Sequence, residues 1–128
     1  MIDAAWVIVR GLRAALPGLN IRLDRDAEYT PDQVVTVVQT PTVRPAGDLP
    51  GRRLASEVRV VCTTTGPDFT ACADAAEAVA DAVLSLTAVD GVKLSSVRTD
   101  SDPVRLSPHD PTGAETMAST HSLMMRKR

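Results

Sequence analysis

Aromatic side chains are almost missing from this chain of 128 residues: Trp6, Tyr29 and Phe69 make up 2% of it. With so few rings, a core must be assembled from Val, Leu, Ile and Ala, within an apolar fraction of 44%. Val-rich runs favour strands, because β-branched side chains fit a pleated surface. The same shortage counts against a ligand cleft built on stacking. An excess of positive charge is missing too. Fourteen basic and sixteen acidic residues leave a net charge of −2, which gives no basic field for autonomous nucleic-acid binding. No apolar run approaches the ~20 residues of a membrane span, and no charged leader with an apolar block opens the chain. It is expected to stay where it is made and to meet no membrane. Cysteine is reduced to Cys62 and Cys72, without the neighbouring ligands a zinc site needs. They read as small core residues in a reducing cytosol.

What is present is one domain's worth of chain, residues 1–128. A chain of this size buries roughly two-thirds of the surface its unfolded form exposes, enough for one core without staples. Apolar residues at Ile2, Trp6, Val9, Leu12 and Leu16 have helical spacing, widened by Val7 and Ile8, and Pro17-Gly18 ends that helix. Leu19 to Arg25 alternates as a half-exposed strand, and Asp26 to Gln33 is a turn. Val34 to Gln39 is a strand apolar on both faces, which asks for cover on both sides. Residues 41–53 hold Pro41, Pro45, Pro50, Gly47 and Gly51 and read as an irregular projecting loop, mobile in a free subunit and ordered on assembly. Arg52 to Thr65 resumes as a strand with Val58, Val60 and Cys62 on one face and Glu57, Arg59 and Thr63 on the other.

Gly66-Pro67-Asp68 then starts a second helix, with Phe69, Cys72, Ala76, Val79, Val83 and Leu86 as its apolar stripe. Asp74, Glu77 and Asp81 give it a solvated face. After an Asp90-Gly91 turn comes a strand from Val92 to Thr99, with Val92 and Leu94 inward. Turn chemistry fills Ser101 to Gly113, interrupted by a short extended Val104-Arg105-Leu106. A last strand runs from Glu115 to Arg126, and residues 126–128 form a basic tail. The order α-β-β-β-α-β-β predicts an α+β fold, a mostly antiparallel sheet of four to five strands with two helices packed on it.

Chemical motifs are sparse. The only two histidines are His109, in a proline-bounded loop beside Asp110, and His121, inside the last strand. No nucleophile motif accompanies His109-Asp110, and His121 reads as a packed or interface residue. Neither Gly-rich phosphate loop occurs. The acidic cluster Asp24, Asp26, Glu28 and Asp32 lacks the spacing of a calcium loop and reads as solvated. No catalytic, cofactor or metal site is expected.

Four features together resemble the tail terminator and tail completion (neck) proteins of long-tailed bacteriophages. These are the opening helix ending in Pro17-Gly18-Leu19, the hairpin with a Pro/Gly/Arg-rich connection at residues 41–53, the Ala-rich helix from Phe69 to Leu86, and the closing segment. That segment, Asp110 to Glu115 followed by Ala118 to Arg126, is similar to the family's final turn and strand, with His121 where an aromatic is usual. The resemblance implies a structural virion protein at the head-proximal end of the tail, made in the host cytoplasm. It implies a homo-oligomeric, hexameric ring that caps the tail tube, ends its polymerisation and offers a surface for the head. Its partners would be its own copies, the tube protein and a head-neck connector, with DNA passing through only as cargo. The expected contact residues are Arg44, Arg52, Arg53, Glu57, Arg59, His121, Met124 and Arg126.

Two other classes stay open: a phage head-completion or stopper protein, and a small α+β enzyme or ligand-binding module. The enzyme would need a pocket and a perturbed pair around His109. The module would need convergent polar or aromatic groups in a cleft.

Overall fold

Asp3 caps the first helix, α1 (Ala4–Ala15), by accepting a hydrogen bond from the Trp6 amide. This is seen in a computed structural model of the chain, which describes residues 3–23, 33–49, 52–106 and 115–127. The acidic cluster from Asp24 to Asp32, His109-Asp110 and the closing turn up to Ala114 lie outside the described residues. The rest follows as β1 (Asn20–Arg22), β2 (Val35–Leu49), β3 (Arg52–Gly66), α2 (Phe69–Leu84), β4 (Ala88–Val89), β5 (Val92–Arg105) and β6 (Glu115–Lys127). The fold is α+β, as the element pattern predicts. All of the described strands join one sheet in the order β1-β2-β3-β6-β5-β4. The pairing is antiparallel except between β1 and β2.

Six strands form where four to five were expected. The extra one is β4, whose two residues are too short to show a period. It pairs with β5 across Asp90-Gly91, where φ is +48° and +80°. Positive φ at both central residues is what a tight two-residue hairpin turn demands.

Two stretches that read as irregular are strand. Residues 41–53 were expected to form a loop, yet β2 continues to Leu49 and β3 begins at Arg52, with Leu49 opposite Arg52. Prolines survive there because β2 flanks β1 only from Val35 to Val37 and is otherwise an edge among the described strands. An edge strand can spare N–H groups, and Pro41 falls within the register shift between Gln39 and Thr42. Likewise β5 runs on to Arg105, where turns were expected from Ser101, with Pro103 inside a register shift between Ser101 and Val104. Composition flagged the prolines correctly and misread their consequence: Pro41 and Pro103 sit in bulges and Pro45 stays in register opposite Ser56, all on strand segments that do not end there. At the C-terminus β6 runs to Lys127, so Arg126 and Lys127 finish a strand rather than a tail.

Both helices pack on one face of this sheet. Helix α2 crosses β3, β5 and β6, while α1 touches α2 and also β1, β2 and β4. Since β1 and β4 are opposite ends of the strand order, the sheet curls until both edges meet α1. Gly11 permits the closure. A Cβ there would lie 2.8 Å from Leu86 Cδ2 and 2.9 Å from Val89 Cγ2. An ion pair between Arg10 and Asp90 ties the same corner. The wide apolar stripe of α1 is thereby used on more than one side, with Ala4, Val7, Ile8, Val9, Gly11 and Leu12 all buried.

The core is aliphatic, as the lack of rings requires. Ile8, Leu12 and Ile21 meet Val38, Val58, Val60, Val79, Val83, Leu94, Leu123 and Met125. Beside it Cys72, Ala76 and Met117 form a smaller cluster. Cys62 and Cys72 are buried free thiols, and burial pushes the Cys62 pKa up to about 12. Phe69, expected inward, is 48% exposed because it is the first residue of α2, and the Arg105 guanidinium sits 5.2 Å from its ring centroid. Asp68 caps that helix, accepting from the Ala71 amide. No helix among the described residues is long and apolar enough to cross a membrane.

Candidate functional site

The face of the sheet turned away from the helices is polar where its four central strands meet. Strand register fixes the arrangement. Thr42 lies opposite Arg59, Arg59 opposite Ser122, and Ser122 opposite Arg98, one row across β2, β3, β6 and β5. The next row holds Arg44, Glu57, Met124 and Ser95. Together Thr42, Arg44, Glu57, Arg59, Arg98, Asp100 and Ser122 line a depression of about 280 Å³.

Bulges aim these side chains. One register shift in β2 lies just before Thr42, and another in β5 lies between Ser95 and Arg98. Within the second, Ser96 adopts φ +52°, a left-handed conformation uncommon for a residue with a side chain. Bulges add twist and redirect side chains beside functional surfaces. At the centre, Asp100 accepts from the Arg98 Nε at 3.2 Å and from the Ser122 hydroxyl. The Ser122 hydrogen bond, then the Arg98 and Arg59 charges, hold its pKa below the usual carboxylate range. Asp100 is therefore held as a carboxylate by Ser122 and Arg98.

Of the residues expected at a contact surface, Arg44, Glu57 and Arg59 come together here, and Met124 stands directly opposite Glu57 without lining the depression. Arg126 lies further along β6, exposed and opposite Lys93. Arg52 and Arg53 belong to the far end of β3, opposite Leu49 and Asp48, and their side chains lie outside the described residues. His121 is on the other face altogether. It is 0% exposed, with Nδ1 3.2 Å from Thr99 Oγ1 and Nε2 3.0 Å from Ser119 Oγ. A neutral imidazole offers one donor and one acceptor, and the two hydroxyls can satisfy both. Burial lowers its pKa, against the opposing pull of Asp100 and Asp102. Ser119 with His121 has the spacing of a nucleophile and base, but Ser119 is only 2% exposed. With both members inside the core, the pair reads as packing.

Sequence reasoning missed Thr42, Arg98, Asp100 and Ser122. Arg98 and Asp100 alternate, but the register shift between Ser95 and Arg98 puts them on the face opposite to the one counted from Val92, so the alternation did not point to them. A second surface feature is an open apolar groove of about 500 Å³ where the end of α1 meets α2, lined by Leu16, Leu19, Val34, Ala71, Ala75 and Ala78 among others.

Compared with known proteins, the chain matches no family model and no curated sequence.

Proposed function

We propose that this chain is a structural subunit of a homo-oligomeric ring that caps the tail tube of a long-tailed bacteriophage. One observation carries the reading. The β2–β3 hairpin outruns its own sheet. Strand β6 flanks β3 only from Ser56 to Gly66, so residues 46–49 and 52–55 pair solely with each other among the described strands. A two-stranded ribbon is marginal in water by itself. About 13 Å of ribbon, at ~3.3 Å per residue, gains support from a neighbouring chain.

A closed ring built head to tail needs two unlike surfaces on each subunit. The ribbon is one, and the apolar groove between α1 and α2 is an unlike second. Prolines and bulges on β2 and β5 discourage strand-by-strand growth at the two edges. Contacts through the ribbon, rather than open-ended sheet extension, suit an assembly that closes. A cap of this kind needs no reaction chemistry. It needs a surface that matches the last layer of the tube and another that does not.

The test is to add the purified chain to polymerised tail tubes and image the ends, beside a parent phage with the gene deleted. One ring per tube end, with heads and unjoined tails of abnormal length in the deletion lysate, is the expected result. Normal-length tails joined to filled heads would end the proposal.

A further inference from the structure

The arginine-lined depression on the uncovered sheet face goes beyond any role in assembly. We infer that it is a binding site for a phosphate group, with Arg44 and Arg59 as its principal ligands.

The argument begins with charge. Three guanidiniums and two carboxylates line the depression. Asp100 is already engaged by Arg98 and Ser122, with Arg59 close enough to depress its pKa further. Glu57 alone stands opposite Arg44 in the ladder. One positive charge is left without a counterpart inside the depression. Arg44 and Arg59 are diagonal neighbours on one face, because Arg59 faces Thr42 and Arg44 is two residues further along β2. Residues in that relation sit roughly 7–8 Å apart, their Cβ atoms somewhat closer, within reach for long side chains. Glu57 lies between the two arginines, directly opposite Arg44 and two residues from Arg59 on the same face of β3, so one carboxylate faces two guanidiniums and an added anion meets the positive charge left over.

Geometry selects the anion. Guanidinium forks match phosphate oxygens, and each can donate two parallel hydrogen bonds. Donors from β2 and β3 approach from different strands, and the Thr42 hydroxyl adds a third on the same face. Such donors suit the several directions of a tetrahedral oxyanion better than the plane of one carboxylate. A depression of about 280 Å³ has room for a phosphate group. Arg98, paired with Asp100, forms part of the wall.

The phosphate could arrive free or as part of a nucleic-acid backbone, and the experiment separates the two. The intact chain is titrated with sodium phosphate and with sodium chloride at matched ionic strength while its Tm is followed. A short single-stranded oligonucleotide is then titrated under the same conditions. Phosphate should raise Tm beyond the chloride control. Arg44→Gln with Arg59→Gln should weaken apparent phosphate affinity at least ten-fold, while Arg10→Gln, on α1, leaves it unchanged. A response to phosphate without the oligonucleotide assigns a free phosphate. A response to both, lost together in the double variant, assigns a backbone phosphate. Equal responses to phosphate and chloride, or an unaltered phosphate response in the double variant, would overturn the site. Neither result depends on whether the chain forms a ring.

Discussion

Strand β6 carries two environments on alternate residues. Met117, Ser119, His121, Leu123 and Met125 are buried beneath the helices, whereas Thr116, Ala118, Thr120 and Met124 are partly exposed, Arg126 is exposed, and Ser122 is buried in the floor of the open-face depression. Neighbouring β3 repeats the division, with Val58, Val60 and Cys62 covered and Glu57 and Arg59 at the surface. Each face holds an ionisable group with a lowered pKa, for different reasons. His121 is lowered because burial penalises its charged form, and Asp100 because a hydroxyl and nearby guanidiniums favour its charged form. The helix-covered face keeps its histidine neutral, and the open face keeps its carboxylate charged. Only the second state can serve an exchangeable partner.

The strongest way to break this division is to place a charge on the covered side. Val79 of α2 is 0% exposed, so Val79→Asp leaves an unpaired buried carboxylate. That costs several kcal/mol, comparable to the roughly 5–15 kcal/mol that stabilises a domain. Loss of the cooperative thermal transition in circular dichroism is expected. A near-normal Tm would mean that α2 does not face the sheet as described.

A smaller effect should appear on acidification. The folded pKa of His121 lies below its unfolded value of about 6.5. As pH falls through that unfolded value, the unfolded chain takes up a proton that the folded chain refuses. Stability therefore declines below about pH 6.5 until the folded pKa is reached. Asp100 acts lower: its contribution is present above about pH 3.9 and fades as pH falls towards its depressed folded value. His121→Gln should flatten the upper window and leave the lower one. It should cost roughly 1–3 kcal/mol at neutral pH if the Thr99 or Ser119 hydroxyl loses its partner. Urea unfolding at several pH values measures both, and an unchanged slope between pH 6.5 and 4.5 would contradict the burial of His121.

The covered face was the legible one. Period-2 alternation in β3 and three-and-four spacing in α2 identified Val58, Val60, Cys62, Cys72, Ala76, Val79 and Val83, all of them buried. The open face was legible only in part. Glu57 and Arg59 followed from the same alternation, but their companions Arg98, Asp100 and Ser122 arrive through cross-strand register. Register depends on which strands become neighbours, and β6 reaches β3 across α2, β4 and β5. The bulge between Ser95 and Arg98 shifts the face a second time. A one-residue slip sends every later side chain to the other face, so alternation counted from Val92 could not reach Asp100. The prolines of β2 and β5 misled for a related reason. They are barred from a strand with neighbours on both sides, and an edge accommodates them in bulges at Pro41 and Pro103 and in register at Pro45.

On the solvated face of α2 the effect should be least. Asp81 is exposed, and its carboxylate makes no hydrogen bond or ion pair with a described residue. Asp81→Ala should change stability by about 0.5 kcal/mol or less. A Tm loss approaching that of Val79→Asp would erase the contrast between helix faces.

The central claim, that the chain is a ring subunit whose ribbon needs a neighbour, is tested most directly by native mass spectrometry. The full chain is compared at tens of micromolar with a variant in which residues 46–55 are replaced by a two-residue Asn-Gly turn. The account predicts a closed oligomer, six copies by the family resemblance, for the full chain. It predicts folded single subunits, with an unchanged circular dichroism spectrum, for the shortened one. A full chain that is monomeric under these conditions, or a shortened chain that still assembles, would contradict it.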